Sequence, residues 1–176
     1  MPAQCAKPPT RPVTKSDDLA ALAREVDRRL GRCDVLVNCA GTTRFVPHDQ
    51  LDALDDALID EILSTNVRGP FAAVRALRPL LQRSGDGLVI NISSIAARSA
   101  MGSNVMYCAS KAALENMTQS LARALAPRVR VVSVAPGLVD TDFVQQMDEA
   151  WAAGQAQRTP LGRLASPAEV AQAVVA

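Results

Sequence analysis

Residues 88–134 read LVINISSIAARSAMGSNVMYCASKAALENMTQSLARALAPRVRVVSV. Two changes of hydrophobic period lie inside this stretch. Leu88 to Ser93 is a short, continuous apolar run, the pattern of a strand covered on both faces. Residues 94–103 are small, polar and Gly-containing, which predicts a loop. About 104–126 carry a helical period and end before Pro127, which cannot continue a helix. Val129 to Val134 returns to an apolar strand pattern. Strand, helix, strand in this order is the unit of a parallel sheet, so the fold class is α/β with flanking helices.

The flanks repeat the pattern. Residues 16–31 predict a helix with Ser16 as N-cap, Asp17 and Asp18 at its positive end, and Leu19, Leu22, Val26 and Leu30 as its apolar stripe. Gly31 ends it. Asp34-Val-Leu-Val-Asn38 predicts a buried strand, leading into Cys39-Ala40-Gly41 and a loop containing Pro47. Residues 50–66 are helical by their Leu51, Leu54, Leu58 and Ile62 stripe. A second helical stretch over 67–83 is expected to bend or restart, because Pro70 and Pro79 interrupt it. Ser84 to Gly87 is a turn. Pro136-Gly137 breaks the strand that ends at Val134, and helices follow over 142–153 and 167–176. The second of these has Ser166 as cap and Pro167 in its first turn. Residues 1–13 are Pro-rich and aperiodic and read as a tail, which leaves 14–176 as the domain.

Composition removes several classes of function. The 176 residues hold 19 basic and 18 acidic side chains, so no charge bias favours nucleic acid or anionic lipid. Five aromatic residues (one Trp, one Tyr, three Phe) are too few for a base-stacking platform. No apolar run approaches the length of a membrane span, and the N-terminus lacks a secretory core. Cys5, Cys33, Cys39 and Cys108 lack the paired short spacings of a zinc site. They fit plain thiols of a reducing cytoplasm.

Chemistry concentrates at few positions. Tyr107 is the sole tyrosine and lies four residues before Lys111, so both share a helix face. A phenol is a poor base at neutral pH, and a fixed ammonium nearby favours its ionised form. Such a phenol can give or take a hydroxyl proton. An ordinary helix-surface pair fits the same spacing. Ser93-Ser94 ends a buried strand, where active sites of open parallel sheets lie. A loop or capping serine is the plain alternative. Asn38-Cys39-Ala40-Gly41 and Pro136-Gly137 end the other strands with small residues that let a flat ligand approach the backbone. Thr141 follows four residues later and could bond a carboxamide.

Taken in order, Asn38-x-Ala40-Gly41, Asn66, Ser93-Ser94, Tyr107-x-x-x-Lys111 and Pro136-Gly137 resemble the short-chain dehydrogenase/reductase family. The strings INISS, YCASKAAL and VRVVSVAPGLVDTDF follow its usual sequence nearly residue for residue, and LGRLASPAEVAQAV resembles the 3-oxoacyl reductase branch. The resemblance runs from about Val13 to the C-terminus. It implies a partial Rossmann-like parallel sheet, lacking the family's first two strands and its last. It implies NADP or NAD as cofactor, with the preference unassigned. It implies hydride transfer to or from a ketone, secondary alcohol or 3-oxoacyl thioester. By the same resemblance Tyr107 is the general acid/base, and Lys111 lowers its pKa and bonds the nicotinamide ribose. Ser94 polarises the substrate carbonyl, and Asn66 holds a water in a proton relay. Asn38, Ala40 and Gly41 line the adenosine side. Pro136, Gly137, Val139 and Thr141 hold the nicotinamide face. A homo-oligomer through helices 67–83 and 104–126 is implied too.

The chain departs from the family pattern at its start. No Gly-x-x-x-Gly-x-Gly turn occurs in it, and that turn lets a backbone approach a pyrophosphate at a helix N-terminus. Pro12-Val13 stands where the family has Asp-Val. In the family order the missing first strand is central, so strand 34–38 is expected to be an exposed apolar edge that invites pairing with another chain. Two other functions fit parts of the pattern. One is a catalytically silent paralogue acting through oligomer contacts. The other is a nucleotide-sugar epimerase, which shares Tyr-x-x-x-Lys but not the Ser93-Ser94 and Pro136-Gly137 strings. His48, the only histidine, reads as a surface residue, and the carboxylates between 49 and 61 as a solvated helix face. Trp151 reads as part of a substrate lid, and Arg68, Arg75 and Arg78 as a helix surface.

Overall fold

A computed structural model describes residues 12–141, 144 and 149–176. Most of the predicted tail therefore lies outside the described residues. Helix α1 spans Ser16–Leu30. Lys15, not Ser16, stands at the N-cap, without a side-chain bond. The helix starts one residue early because the Lys15 carbonyl already accepts from the Leu19 amide at 3.2 Å. Ser16 Oγ accepts instead from Arg75 at 3.2 Å. Gly31 ends α1 at φ 69° and donates its N–H to the Asp27 carbonyl, the left-handed stop that a residue without Cβ makes cheaply.

Strands β1 (Val35–Asn38), β2 (Gly87–Ile92) and β3 (Val129–Val134) form a parallel sheet in the order β1-β2-β3. Leu36, Val89 and Val131 lie side by side in register. They face the main core with Val74, Leu77, Leu80, Leu81 and Val129, packed by Val26 of α1 and by Leu121 and Leu125. The central strand obeys the prediction of two covered faces, with Val89 and Ile90 both buried. The edge strand does not, and this corrects the sequence reading. Val35 and Val37 remain 51% and 42% exposed on the face away from the helices, and Val132 of β3 shares that surface. Among the described residues β1 pairs with β2 alone, as the edge expectation required.

The predicted helix over 50–66 is broken into parts. A 3₁₀ turn covers Leu51–Ala53, and Leu51 is exposed rather than in the stripe. Helix α2 (Asp56–Leu63) begins where the Asp55 side chain accepts from the Leu58 amide at 2.8 Å. A π-helical turn, Ser64–Arg68, then joins it to α3 (Gly69–Ser84). The restart thus falls before Pro70, which sits harmlessly in the first turn of α3, while Pro79 is carried inside the helix. Gly87 is required at the start of β2, since a Cβ there would lie 2.5 Å from the Leu81 carbonyl oxygen.

The loop after β2 is not wholly irregular, because α4 (Ala96–Ser99) occupies part of it. Helix α5 (Val105–Leu125) is the longest, as predicted. Of the predicted helix at 142–153, several residues lie outside the described set, and α6 spans Glu149–Gln157. Helix α7 (Pro167–Val175) opens with Ser166 as cap, reciprocated by Glu169 in a capping box.

Candidate active site

Because the strands are parallel, their carboxyl ends lie at one edge of the sheet. That edge gathers Asn38–Gly41 after β1, Ser93–Ser94 after β2 and Pro136–Gly137 after β3. Helix α5 then carries Tyr107 and Lys111 in its first two turns. The Lys111 Nζ lies 5.7 Å from the centre of the Tyr107 ring. It donates to the Ile92 carbonyl at 2.8 Å, which fixes the ammonium where β2 ends. Lys111 is only 5% exposed. The phenol and the ammonium therefore share one side, next to Ser94.

Burial governs both ionisations. It pushes the Tyr107 phenol above its ordinary value, and the Ser94 side chain opposes this by hydrogen bonding to it. Burial also pushes the Lys111 ammonium below its ordinary value, partly offset by the Cys39 thiol. The family resemblance implies that the cation lowers the tyrosine. In the structure burial is the largest influence on the tyrosine, because a phenolate with little water around it is costly to solvate. Ser94 Oγ accepts from the Ala96 amide at 3.1 Å, so its own hydroxyl proton remains for another acceptor.

Asn66 sits in the π-helical turn and is buried. Its Oδ1 accepts from the Thr42 amide at 2.9 Å, and its Nδ2 donates to the Thr42 carbonyl and to Ser110 Oγ, both at 3.0 Å. Ser110 Oγ donates onward to the Tyr107 carbonyl at 2.7 Å. Asn66 thus ties the loop after β1 to the turn of α5 that carries the tyrosine. Asn38 is turned inward: its Nδ2 donates to Asn91 Oδ1 at 2.8 Å, and Asn91 donates to Thr118 at 2.9 Å. That leaves the small residues Ala40 and Gly41, both exposed, as the open part of this loop. A Cβ on Gly41 would sit 3.7 Å from Lys111 Nζ.

The third strand end is looser. Pro136 accepts at its carbonyl from the Ile95 amide at 3.0 Å, which joins the β2 and β3 loops. Val139 bridges to Ala165, and Thr141 is exposed. Three residues matter here that the sequence reading did not single out: Asn104, Ser110 and Asn91. Asn104 was legible as a cap, being an Asn at a helix start. Ser110 and Asn91 look like ordinary small polar residues until their partners are placed. His48 lies exposed, with Nε2 3.1 Å from the Gly102 carbonyl. Among the described residues no His, Cys, Asp or Glu cluster could hold a metal, and no helix is long and apolar enough to cross a membrane. Cys33, Cys39 and Cys108 are free thiols.

Comparison with known proteins identifies the family. The family model described as enoyl-(acyl carrier protein) reductase matches residues 10–176. A Streptomyces violaceoruber protein, provisionally named granaticin polyketide synthase ketoacyl reductase 2, is 41% identical over 93% of this chain. The 3-oxoacyl-[acyl-carrier-protein] reductase of Thermotoga maritima is 33% identical over 93% of it. The chain spans 66% and 65% of the lengths of these two relatives. Among solved structures, a gluconate 5-dehydrogenase of Burkholderia cenocepacia in complex with NADP and tartrate superposes with a TM-score of 0.84 at 27% identity. That match covers 94% of this chain and 65% of the other. The strand-end loops, the Tyr-Lys helix and these likenesses lead to one conclusion: the chain belongs to the short-chain dehydrogenase/reductase family.

Proposed function

We propose that this chain supplies the proton-transfer half of a nicotinamide-dependent oxidoreductase acting on a ketone, a secondary alcohol or a 3-oxoacyl thioester. The observation that carries the reading is the convergence of Tyr107, Ser94 and the buried Lys111 ammonium where β2 ends. Bound NADP or NAD would supply the hydride chemistry. The residues at the nicotinamide-ribose end suit such a group. Lys111 Nζ has three protons and one carbonyl acceptor given by the fold, which leaves donors for a diol. Ala40, Gly41 and Gly137 offer exposed backbone without bulky side chains. Pro136, Val139 and Thr141 would border the nicotinamide, and Asn38 would act through its backbone. Pyrophosphate contact has no Gly-rich turn in these 176 residues to provide it.

In the reductive direction Tyr107 gives its phenolic proton to the substrate carbonyl oxygen, and the bound nicotinamide would supply the hydride for the carbon. Ser94 keeps its proton and hydrogen-bonds through it to the same oxygen, holding it against the phenol. A neutral, half-buried phenol is the correct starting form for this donation. Lys111 stabilises the phenolate left behind, and Asn66 keeps the Thr42 loop and the Tyr107 turn in register. Titrating the chain with NADPH and NADH while following fluorescence tests the cofactor half. Tyr107→Phe tests the rest: turnover is expected to fall by about 100-fold or more with cofactor affinity nearly intact. Undiminished turnover in that variant would sink the assignment.

Self-association fits the outer surface. A groove of about 910 Å³, lined by Leu63, Val67, Phe71 and Met117 among others, runs between α2, the π turn, α3 and α5. We assign it to contact with a second copy, in line with the oligomer expected through 67–83 and 104–126. Sedimentation of the parent chain and of Phe71→Asp checks this, with the variant expected to shift to the smaller species. The same surface would serve a catalytically silent paralogue. The buried Lys111, anchored on the Ile92 carbonyl, favours the enzyme, since a silent chain gains nothing from desolvating an ammonium. The epimerase alternative draws no support from the relatives.

A further inference from the structure

Asn104 is fully buried, yet it is neither a core residue nor a simple helix cap. Its Oδ1 accepts from the Tyr107 amide at 2.7 Å. Its Nδ2 donates to the Arg44 carbonyl at 2.8 Å and to Thr43 Oγ1 at 3.2 Å. The two ends of one amide thus hold two different segments. One is the first turn of α5, which carries Tyr107. The other is the loop that leaves β1 through Ala40 and Gly41. Further bonds join the same two segments. The Val46 amide donates to the Ser103 carbonyl at 2.8 Å, and Thr43 and Ser103 share a hydroxyl–hydroxyl bond. Asn66 and Ser110 close the seam from the other side, between the Thr42 backbone and the Tyr107 carbonyl. The backbone of Tyr107 is therefore held at its N–H by Asn104 and at its C=O through Ser110.

We propose that Asn104 is a positioning residue that clamps the Thr42–Val46 loop to the first turn of α5 and so holds the Tyr107 phenol beside Ser94. This bears on catalysis only through the reading of Tyr107 given above. The clamp itself does not depend on that reading. The chemistry explains the residue type. A cap needs an acceptor alone, which Ser, Thr or Asp would supply as well. Holding the loop needs two donors on the same side chain, and among good caps only Asn has them. An Asp would turn a carboxylate toward the Arg44 carbonyl. A Ser would keep the cap and release the loop.

Asn104→Ser and Thr43→Val, made in the whole chain, test this without cofactor. Two readouts follow the clamp. The first is amide hydrogen exchange over residues 42–46. The second is alkaline ultraviolet titration of the sole tyrosine. In Asn104→Ser, exchange over 42–46 is expected to speed up by roughly fivefold or more, the worth of one net hydrogen bond. Exchange in the first turn of α5 should stay slow. The tyrosine should titrate lower, toward an exposed phenol, because the loosened loop admits water. Thr43→Val removes one acceptor and should move both readouts the same way by less. If Asn104 is a cap and nothing more, Asn104→Ser leaves both readouts at parent values, and the proposal is overturned. Should Asn104→Ser fail to fold, Thr43→Val decides: parent-like exchange and titration in it overturn the clamp equally. Loss of cofactor binding or turnover in the parent would instead count against the oxidoreductase reading and leave these readouts intact.

Discussion

Tyr107 and Lys111 show how much a single residue's ionisation depends on water. Dehydration raises the phenol and lowers the ammonium, so both are pressed toward their neutral forms. The pH consequences have opposite signs. A phenol raised in the folded state contributes stability that is present below its ordinary value near 10 and is lost as pH climbs through the folded value. An ammonium lowered in the folded state does the reverse: its desolvation cost is relieved as pH rises toward its ordinary value of 10.5. Tyr107→Phe should therefore lose less stability than the parent as pH rises above about 10. Urea midpoints measured across that range check it, and parallel curves for the two proteins would contradict it. The pairing of these two residues was readable from their spacing. The direction of the shift was not, because spacing carries no information about solvent.

At the scale of elements, caps and one irregular turn set where helices begin. Helix α7 is closed by Ser166 and Glu169, and Arg163 adds a bidentate pair to the Glu169 carboxylate. Arg163 and the Ser166 backbone hold that carboxyl down to about 2. Its contribution is present above the ordinary 4.5 and disappears as pH falls toward the lower value. Glu169→Gln should flatten this part of the acid profile, read by circular dichroism between those limits. Ser166→Ala is expected to cost about 1 kcal/mol, measured by denaturant unfolding. The π turn at Ser64–Arg68 has another effect. The extra residue in the turn brings Asn66 inward to Thr42 and Ser110. Sequence periodicity showed a disturbance around Pro70, since Pro is a visible breaker. The actual break lies earlier, over residues with no such marker, and follows from the partners Asn66 finds.

For the molecule as a whole, one face of the sheet is covered along its width, and the other is covered at Ile90 of the central strand but not at Val35, Val37 and Val132. Leu81, wholly buried between α3 and the sheet, contrasts with Val37, 42% exposed on the far side of β1. Leu81→Ala should cost about 2–5 kcal/mol, as cavity-forming core substitutions do. Val37→Ala should cost less than about 1 kcal/mol in this chain. Chemical denaturation of both variants measures the difference, and equal costs would mean that the far face of β1 is covered in solution. Exposed valines on β1 and β3, beside an edge of β1 that pairs with no strand among the described residues, are unusual for a parallel sheet, whose strands normally have both faces shielded.

The alternation of apolar runs and helical periods was enough to specify three parallel strands with helices between them, because period reports which faces seek burial. The spacing of Tyr107 and Lys111, and the small residues at strand ends, were likewise enough to mark one edge of the sheet as the candidate site. Tertiary structure alone determined that β1 packs Leu36 against the core and exposes Val35 and Val37, since coverage depends on neighbours and not on a strand's own residues. It alone made Asn104, Asn66 and Ser110 into a brace around the tyrosine. Hydrogen-bond partners 40 to 60 positions apart leave no local trace, and only chain folding brings their donors and acceptors into range.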